Sequence, residues 1–156
     1  MKVPLNKKED LCLDANVFVA ALCPEEHYHK EAFLLIQEIR KHARMLYEPA
    51  LVLYEINMAL YRKQKQGDLL AGDSQSLLEQ FVRLPILFQW APEFITLTHQ
   101  LAHQLSFSHI YDVSYLAVAV ARDIPLVTFD EELLRKGKKA HSQIFDAHNY
   151  YHLLTS

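Results

Sequence analysis

The residues that could do chemistry in this sequence are acids placed next to apolar segments: Asp14, Glu55, Asp112 and Asp130. Asp14 directly follows the apolar run 11–13, and Asp130 follows the apolar run 124–128. Both runs predict short buried strands. Asp112 lies in the first turn of a strongly apolar helix predicted from Tyr111 to Arg122. These acids therefore stand where strands end or helices begin.

Glu55 interrupts the apolar stripe of a predicted helix, in the segment LVLYEINMAL. Its neighbours one turn away are apolar, namely Leu51, Val52, Met58 and Ala59. A carboxylate in such a stripe costs free energy unless it is paired or binds a metal ion. Glu55 is thus the acid that is hardest to explain as part of an ordinary helix surface.

Ligands of parallel sheets bind beyond the carboxyl ends of the strands, and we expect all four acids at that edge. Crowded carboxylates repel one another unless cations lie between them. Hard divalent cations such as Mg²⁺ prefer carboxylate oxygens and are commonly completed by water and substrate phosphate. One or two such ions would activate water for attack on a phosphodiester. The pattern favours a metal-dependent phosphodiesterase.

Each acid also has a simpler explanation. Asp130 could cap the helix that follows it, and Asp14 could cap the helix beginning near Asn16. Asp112 stabilises the dipole of its helix wherever the helix lies, and Glu55 could be hydrated at the rim of the sheet. These explanations account for the acids singly but not for their expected convergence.

The elements that must position these acids alternate along the chain. Periodicity predicts strands at 11–13, 44–47, 86–89, 124–128 and 143–145. It predicts helices from near Asn16 and at 29–42, 49–66, 74–83, 92–105, 111–122 and 131–136, with Pro49 and Pro92 as first residues of their helices and Gly67 as a stop. Short strands alternating with helices predict an α/β fold with a parallel sheet covered on both faces.

Composition limits the alternatives. The 156 residues are 51% hydrophobic, which predicts one domain over residues 11–156 behind a flexible arm at 1–10. A net charge of −3 excludes a broadly basic nucleic-acid-binding protein, so RNA would be bound by a local patch or through metal ions. The two cysteines do not form the pattern of a disulfide framework, and the N-terminal MKVPLNKKED lacks the apolar segment of a signal peptide. No apolar run is long enough to span a membrane. These features predict a cytoplasmic protein.

Four motifs in order resemble the PIN-domain family of ribonucleases: LDANVFVAAL, PALVLYEINMAL, YDVSYLAVAVA and LVTFDEEL, over about residues 11–150. The resemblance implies a three-layer α/β/α sandwich and Mg²⁺- or Mn²⁺-dependent cleavage of RNA. It also implies that Asp14, Glu55, Asp112 and Asp130 are both the catalytic and the metal-binding residues. Asn16 and Thr128 match the polar residues that support such a site.

The chain length resembles the VapC-type toxins of toxin–antitoxin pairs. That resemblance implies a homodimer and a small antitoxin protein that docks into the active-site groove. After Asp130, a basic cluster offers possible contacts to RNA phosphates or simply complements a helix C-terminus: Arg135, Lys136, Lys138 and Lys139. The alternative function is a catalytically weak PIN-like module that binds RNA or protein. An aspartyl-phosphate enzyme is disfavoured because Asn16 stands where it would need a second acid.

Overall fold

The computed structural model describes residues 10–156, so the predicted flexible arm at 1–10 lies outside the described residues except for Asp10. Residues 10–156 form five strands and eight helices, which follow one another as β1 (Cys12–Leu13), α1 (Ala15–Leu22), α2 (His29–Lys41), β2 (Leu46–Pro49), α3 (Leu51–Gln66), α4 (Ala71–Val82), β3 (Ile86–Gln89), α5 (Pro92–Gln104), α6 (Tyr111–Arg122), β4 (Leu126–Thr128), α7 (Glu131–Gly137), β5 (Ile144–Asp146) and α8 (Ala147–Thr155). None of these helices is long and apolar enough to cross a membrane.

All strand pairs in residues 10–156 are parallel. One sheet has the order β1-β4-β5, and β2 pairs with β3 in a second sheet. A single parallel bridge between Leu11 and Leu46 joins the two sheets, which gives the spatial order β3-β2-β1-β4-β5. The chain thus starts in the middle, builds one side and then the other. Ligands bind at the carboxyl ends of the strands where the order reverses, which are β1 and β4 here.

Helices cover both faces of the sheet. Helix α6 packs on β1, β2 and β4 and is flanked by α5 and α7, whereas α1 and α8 also contact β4 and α2 packs on both. Every residue of β1 and β4 is buried, as expected for strands covered on two sides. The predicted three-layer α/β/α fold with a short central parallel sheet is confirmed.

Most predicted elements lie within a few residues of the observed ones, but two predictions were wrong or incomplete. Pro49 does not open a helix: it ends β2, where it pairs with Gln89, and α3 begins at Leu51. Proline is tolerated at a strand end because only one backbone donor is lost. The C-terminal helix α8, capped by the side chain of Asp146, was not predicted. The predicted stop at Gly67 is confirmed, since its φ of 84° is favourable for glycine.

Candidate metal centre

Asp14 is the most buried of the four candidate acids, with 4% of its surface exposed. It occupies the N-cap position of α1, but its side chain makes no capping hydrogen bond. Instead, the Thr128 hydroxyl donates to Asp14 Oδ2 at 2.7 Å. Burial raises the pKa of Asp14 to about 7, the Thr128 bond opposes this rise, and the negative charges of Asp112, Glu55 and Asp130 add to it. Asp14 is therefore within electrostatic reach of all three other acids.

Thr128 links the two acids that follow β1 and β4. While donating to Asp14, its Oγ1 accepts from the Asp130 N–H at 2.9 Å and from the Asn16 amide at 3.4 Å. The other end of the Asn16 amide accepts from the Phe129 N–H at 3.4 Å. Asn16 and Thr128 thus form one hydrogen-bonded unit beneath the acids, the position in which supporting residues orient metal ligands.

Asp130 does cap a helix. Its Oδ1 accepts from the Leu133 N–H at 2.7 Å, so the simpler explanation of this residue is correct as far as it goes. One carboxylate oxygen of Asp130 is engaged in this bond, and the cap also fixes the orientation of the side chain. A cap and a metal ligand are compatible roles because a carboxylate has two oxygens and several lone pairs.

Glu55 and Asp112 come from the helices α3 and α6. The Tyr115 hydroxyl, three residues after Asp112, donates a short hydrogen bond to Glu55 Oε2. Burial raises the pKa of Glu55, the Tyr115 bond lowers it and Asp112 raises it. Burial and the charge of Asp130 raise the pKa of Asp112, while His109 lowers it. Glu55 and Asp112 are thus both half-buried, and the charge of Asp112 acts on Glu55.

The arrangement brings all four predicted acids into one electrostatic neighbourhood. Within residues 10–156, no group of three or more His, Cys, Asp or Glu side chains is arranged to hold a metal ion. A hard divalent cation still fits the donor set, because Mg²⁺ is commonly held by one or two carboxylates together with water and substrate phosphate. A cation would also relieve the mutual repulsion that, after burial, raises the pKa values of Asp14, Glu55 and Asp112.

Two residues of the neighbourhood were missed by sequence reasoning. Glu48 in β2 is fully buried, and its carboxyl accepts from the Leu13 N–H at 2.8 Å and from the Cys12 thiol at 3.5 Å. Burial raises its pKa well above the usual range. An acid inside the strand sequence LYEP was the available signal for Glu48. The i, i+3 spacing of Asp112 and Tyr115 was a weaker signal for Tyr115.

The basic cluster after Asp130 contains one side chain held by several contacts and three exposed side chains. Lys136 donates to the Ser106 carbonyl at 2.6 Å, pairs with Glu132 at 2.6 Å and lies over the Phe107 ring. The other three, Arg135, Lys138 and Lys139, are exposed on α7 and just after it. Lys136 is thus committed to contacts within the chain, and three cations remain at the surface.

The comparison with protein-family models decides the family. The model described as the PIN domain matches residues 11–139, which include all four acids. The chain belongs to the PIN-domain family. This confirms the resemblance found in the four sequence motifs. PIN domains are generally nucleases and typically use divalent metal ions. No curated protein shows significant similarity to this PIN domain.

Solved structures show the same fold at low sequence identity. PAE2754 from Pyrobaculum aerophilum is 23% identical, with a TM-score of 0.69 over 94% of this chain and 96% of that chain. VapBC2 from Rickettsia felis, in a structure bound to a DNA fragment from their promoter, is 15% identical, with a TM-score of 0.64 over 87% of this chain and 97% of that chain. FitAcB from Neisseria gonorrhoeae is 17% identical, with a TM-score of 0.61 over 88% of this chain and 97% of that chain. At these identities the similarity establishes the PIN fold.

Proposed function

We propose that this PIN domain is a Mg²⁺- or Mn²⁺-dependent endoribonuclease, and that it is the toxin of a toxin–antitoxin pair. The observation that carries the proposal is the position of the buried Asp14 at the strand ends where the sheet order reverses, where the negative charges of Glu55, Asp112 and Asp130 act on it. A module that only binds RNA has no need for a buried acid whose neighbours are acids, because such a cluster costs free energy and repels phosphate.

The cation would lie among the four acids, Asp14, Glu55, Asp112 and Asp130, held directly by one or two of their carboxylates and completed by water and substrate phosphate. When bound, it would polarise the phosphodiester and make water a stronger nucleophile. The chain's own contribution is orientation: Thr128 fixes the Asp14 carboxylate, Tyr115 fixes Glu55, and the α7 cap fixes Asp130. Arg135, Lys138 and Lys139 would contact phosphates away from the acids.

The experiment is incubation of the purified protein with labelled total RNA and tRNAs in Mg²⁺, Mn²⁺ or EDTA. We expect discrete, metal-dependent cleavage that Asp14→Asn or Asp112→Asn abolishes while the protein stays folded. Asp73→Asn, at an exposed acid in the first turn of α4, is the matched control and should cleave normally. Metal-dependent cleavage by both site variants would contradict the site assignment. Binding of RNA or protein without cleavage by the wild type would favour the non-catalytic module.

A small antitoxin protein is the proposed partner. Support comes from the similarity to VapBC2 and FitAcB, which are structures of toxin–antitoxin complexes. Co-expression with any small protein that is encoded beside the gene for this chain should yield a stable complex whose nuclease activity is suppressed. Recovery of activity after the partner is removed would show that the partner inhibits an intact site.

A homodimer is the second proposed assembly. A groove of about 450 Å³ lies between α3, α5 and the start of α6, and its lining contains no charged side chain. Its rim carries large exposed apolar residues, including Tyr54 (71% exposed), Trp90 (68%) and Ile95 (72%). A two-fold interface pairs a patch with itself, so an uncharged patch meets no like-charge repulsion there. We propose this surface, the α3/α5 face, as the dimer interface.

A further inference from the structure

Four rings from three parts of the chain meet next to the segment that carries Asp130. Tyr28, just before α2, stacks on Phe129 with centroids 4.9 Å apart and planes 21° apart. His148, in the first turn of α8, places its ring 3.9 Å from Tyr28 and 4.9 Å from Phe129. His27 lies 4.5 Å from Tyr28. These four residues are called the ring cluster below.

The ring cluster adjoins the proposed metal centre through the backbone. Phe129 stands between Thr128, which donates to Asp14, and Asp130. Its N–H donates to Asn16, so the hydrogen-bonded unit beneath the acids also positions this ring. A nucleotide whose phosphate reaches the acids would therefore have its base, or a neighbouring base, close to the rings.

The cluster is open to solvent on the side of His27 and Tyr28. Both residues are exposed, and Tyr28 keeps 36% of its surface accessible. If the rings served only to pack these segments against each other, full burial would stabilise the protein more, because burial of apolar area drives such packing. The two exposed residues are aromatic, and through Phe129 they adjoin the site that presents four acids, Asp14, Glu55, Asp112 and Asp130.

Because the site is acidic, RNA would be bound there more readily through a contact that does not depend on charge. The chain carries a net charge of −3, and the ammonium of Lys136 is bound to Ser106 and Glu132. Phosphate attraction near the acids is consequently weak without metal. Stacking of a base on an aromatic ring depends little on charge and tolerates any base, and single-stranded RNA is commonly bound in this way.

We propose that the ring cluster is a subsite that stacks one unpaired nucleobase next to the phosphodiester at the metal centre. This inference rests on the proposed ribonuclease function and narrows its substrate to RNA with an unstacked base at that position. Tyr28 supplies the accessible ring, and Phe129 and His148 hold it in place. The subsite selects single-stranded over paired RNA and gives little base preference.

The test measures binding and cleavage of a mixed-sequence single-stranded RNA oligonucleotide, and of versions with one stable abasic nucleotide at successive positions. Binding is measured by fluorescence anisotropy in EDTA, and cleavage in Mg²⁺. We expect the wild type to lose about tenfold in affinity when the abasic nucleotide occupies one particular position, the range for stacking being about five- to 150-fold. Tyr28→Ala should lose about tenfold on the intact RNA and show no further loss at that abasic position.

Two variants separate stacking from folding. Tyr28→Phe keeps the ring, so recovery of wild-type binding in this variant would show that Tyr28 acts through its ring and not through its hydroxyl. Phe33→Ala removes another exposed ring of α2, 45% accessible, and should keep the full abasic penalty. Equal abasic penalties in the wild type and Tyr28→Ala, or no penalty at any position, would overturn the subsite.

The outcomes also separate the subsite from the nuclease. Binding with the position-specific penalty but without cleavage would support the subsite and contradict the nuclease. Metal-dependent cleavage with no penalty at any position would support the nuclease and contradict the subsite. Absence of both binding and cleavage would overturn both.

Discussion

The backbone N–H of Leu13 donates at 2.8 Å to Oε1 of Glu48, a carboxyl group with no exposed surface. Strands β1 and β2 are bridged only at Leu11, where the Tyr47 N–H donates to the Leu11 carbonyl. At Leu13, two residues further along the chain, the backbone N–H is paired with the Glu48 side chain and not with a backbone carbonyl of β2. Since Asp14 is the next residue after Leu13, Glu48 helps to hold the end of β1 that presents Asp14.

The first prediction concerns this hydrogen bond. Glu48→Gln keeps an oxygen acceptor for the Leu13 N–H and should change the free energy of unfolding by less than about 1 kcal/mol. Glu48→Leu leaves that buried N–H unpaired and should cost about 1–3 kcal/mol. Urea unfolding of both variants measures the difference. If the leucine variant is as stable as the glutamine variant, Glu48 does not support β1.

The second prediction concerns pH. The pKa of Asp14 rises from 3.8 to about 7 on folding, so between these values the folded state keeps a proton that the unfolded state loses. The free energy of unfolding of the metal-free protein should therefore fall as pH rises through this window and level off above it. The contribution is at most about 4 kcal/mol, since one pKa unit corresponds to about 1.4 kcal/mol.

Asp14→Asn isolates this contribution, because asparagine does not titrate. Urea unfolding from about pH 4 to about pH 8 should show a shallower fall in the variant than in the wild type. The buried carboxyl of Glu48 remains in both proteins, and its pKa is raised mainly by burial and only in a smaller part by the charge of Asp14. Parallel profiles for the two proteins would mean that Asp14 ionises freely in the folded state.

The third prediction concerns Tyr115, whose hydroxyl donates to Glu55. Tyr115→Phe removes this donor while the ring stays packed in the core. Loss of a residue that orients a metal ligand typically lowers metal affinity or activity about 10–100-fold. The Mg²⁺ concentration needed for half-maximal cleavage should rise accordingly. Tyr111→Phe, an exposed tyrosine of the same helix, is the control. An unchanged Mg²⁺ requirement in Tyr115→Phe would remove Tyr115 from the site.

Local sequence signals were sufficient where one segment determines its own structure. The bounds of β3 and α6 were predicted to the residue, since a run of apolar residues between turn signals defines each. Pro49 misled because a proline fits both a helix start and a strand end, and only pairing with β3 decides between them. Helix α8 was missed although Asp146 is an ordinary capping residue.

The site shows the same division. Apolar patterning located Asp14 and Asp130 at strand ends, and chain topology predicted their convergence. Contacts between residues far apart in the sequence could not be predicted. Glu48 and Leu13 are 35 residues apart, and Tyr115 and Glu55 are 60 residues apart. The ring cluster likewise depends on where separate loops end. The periodicity of apolar residues does not predict such contacts, because they depend on how the sheet places distant segments relative to one another.

The last prediction concerns the α3/α5 face. If two copies pair through it, each substitution enters the interface twice, because the interface is symmetric. Ile95→Glu should therefore place two like charges in an apolar contact and weaken the dimer by about a hundredfold or more, since like charges across an interface cost on the order of several kcal/mol. Light scattering after gel filtration over a range of concentrations measures the shift from dimer to monomer. Leu70→Glu is the matched control, because Leu70 is 74% exposed and Ile95 is 72% exposed. A wild type that is monomeric throughout would contradict the homodimer, and equal weakening by both variants would contradict the assignment of the face.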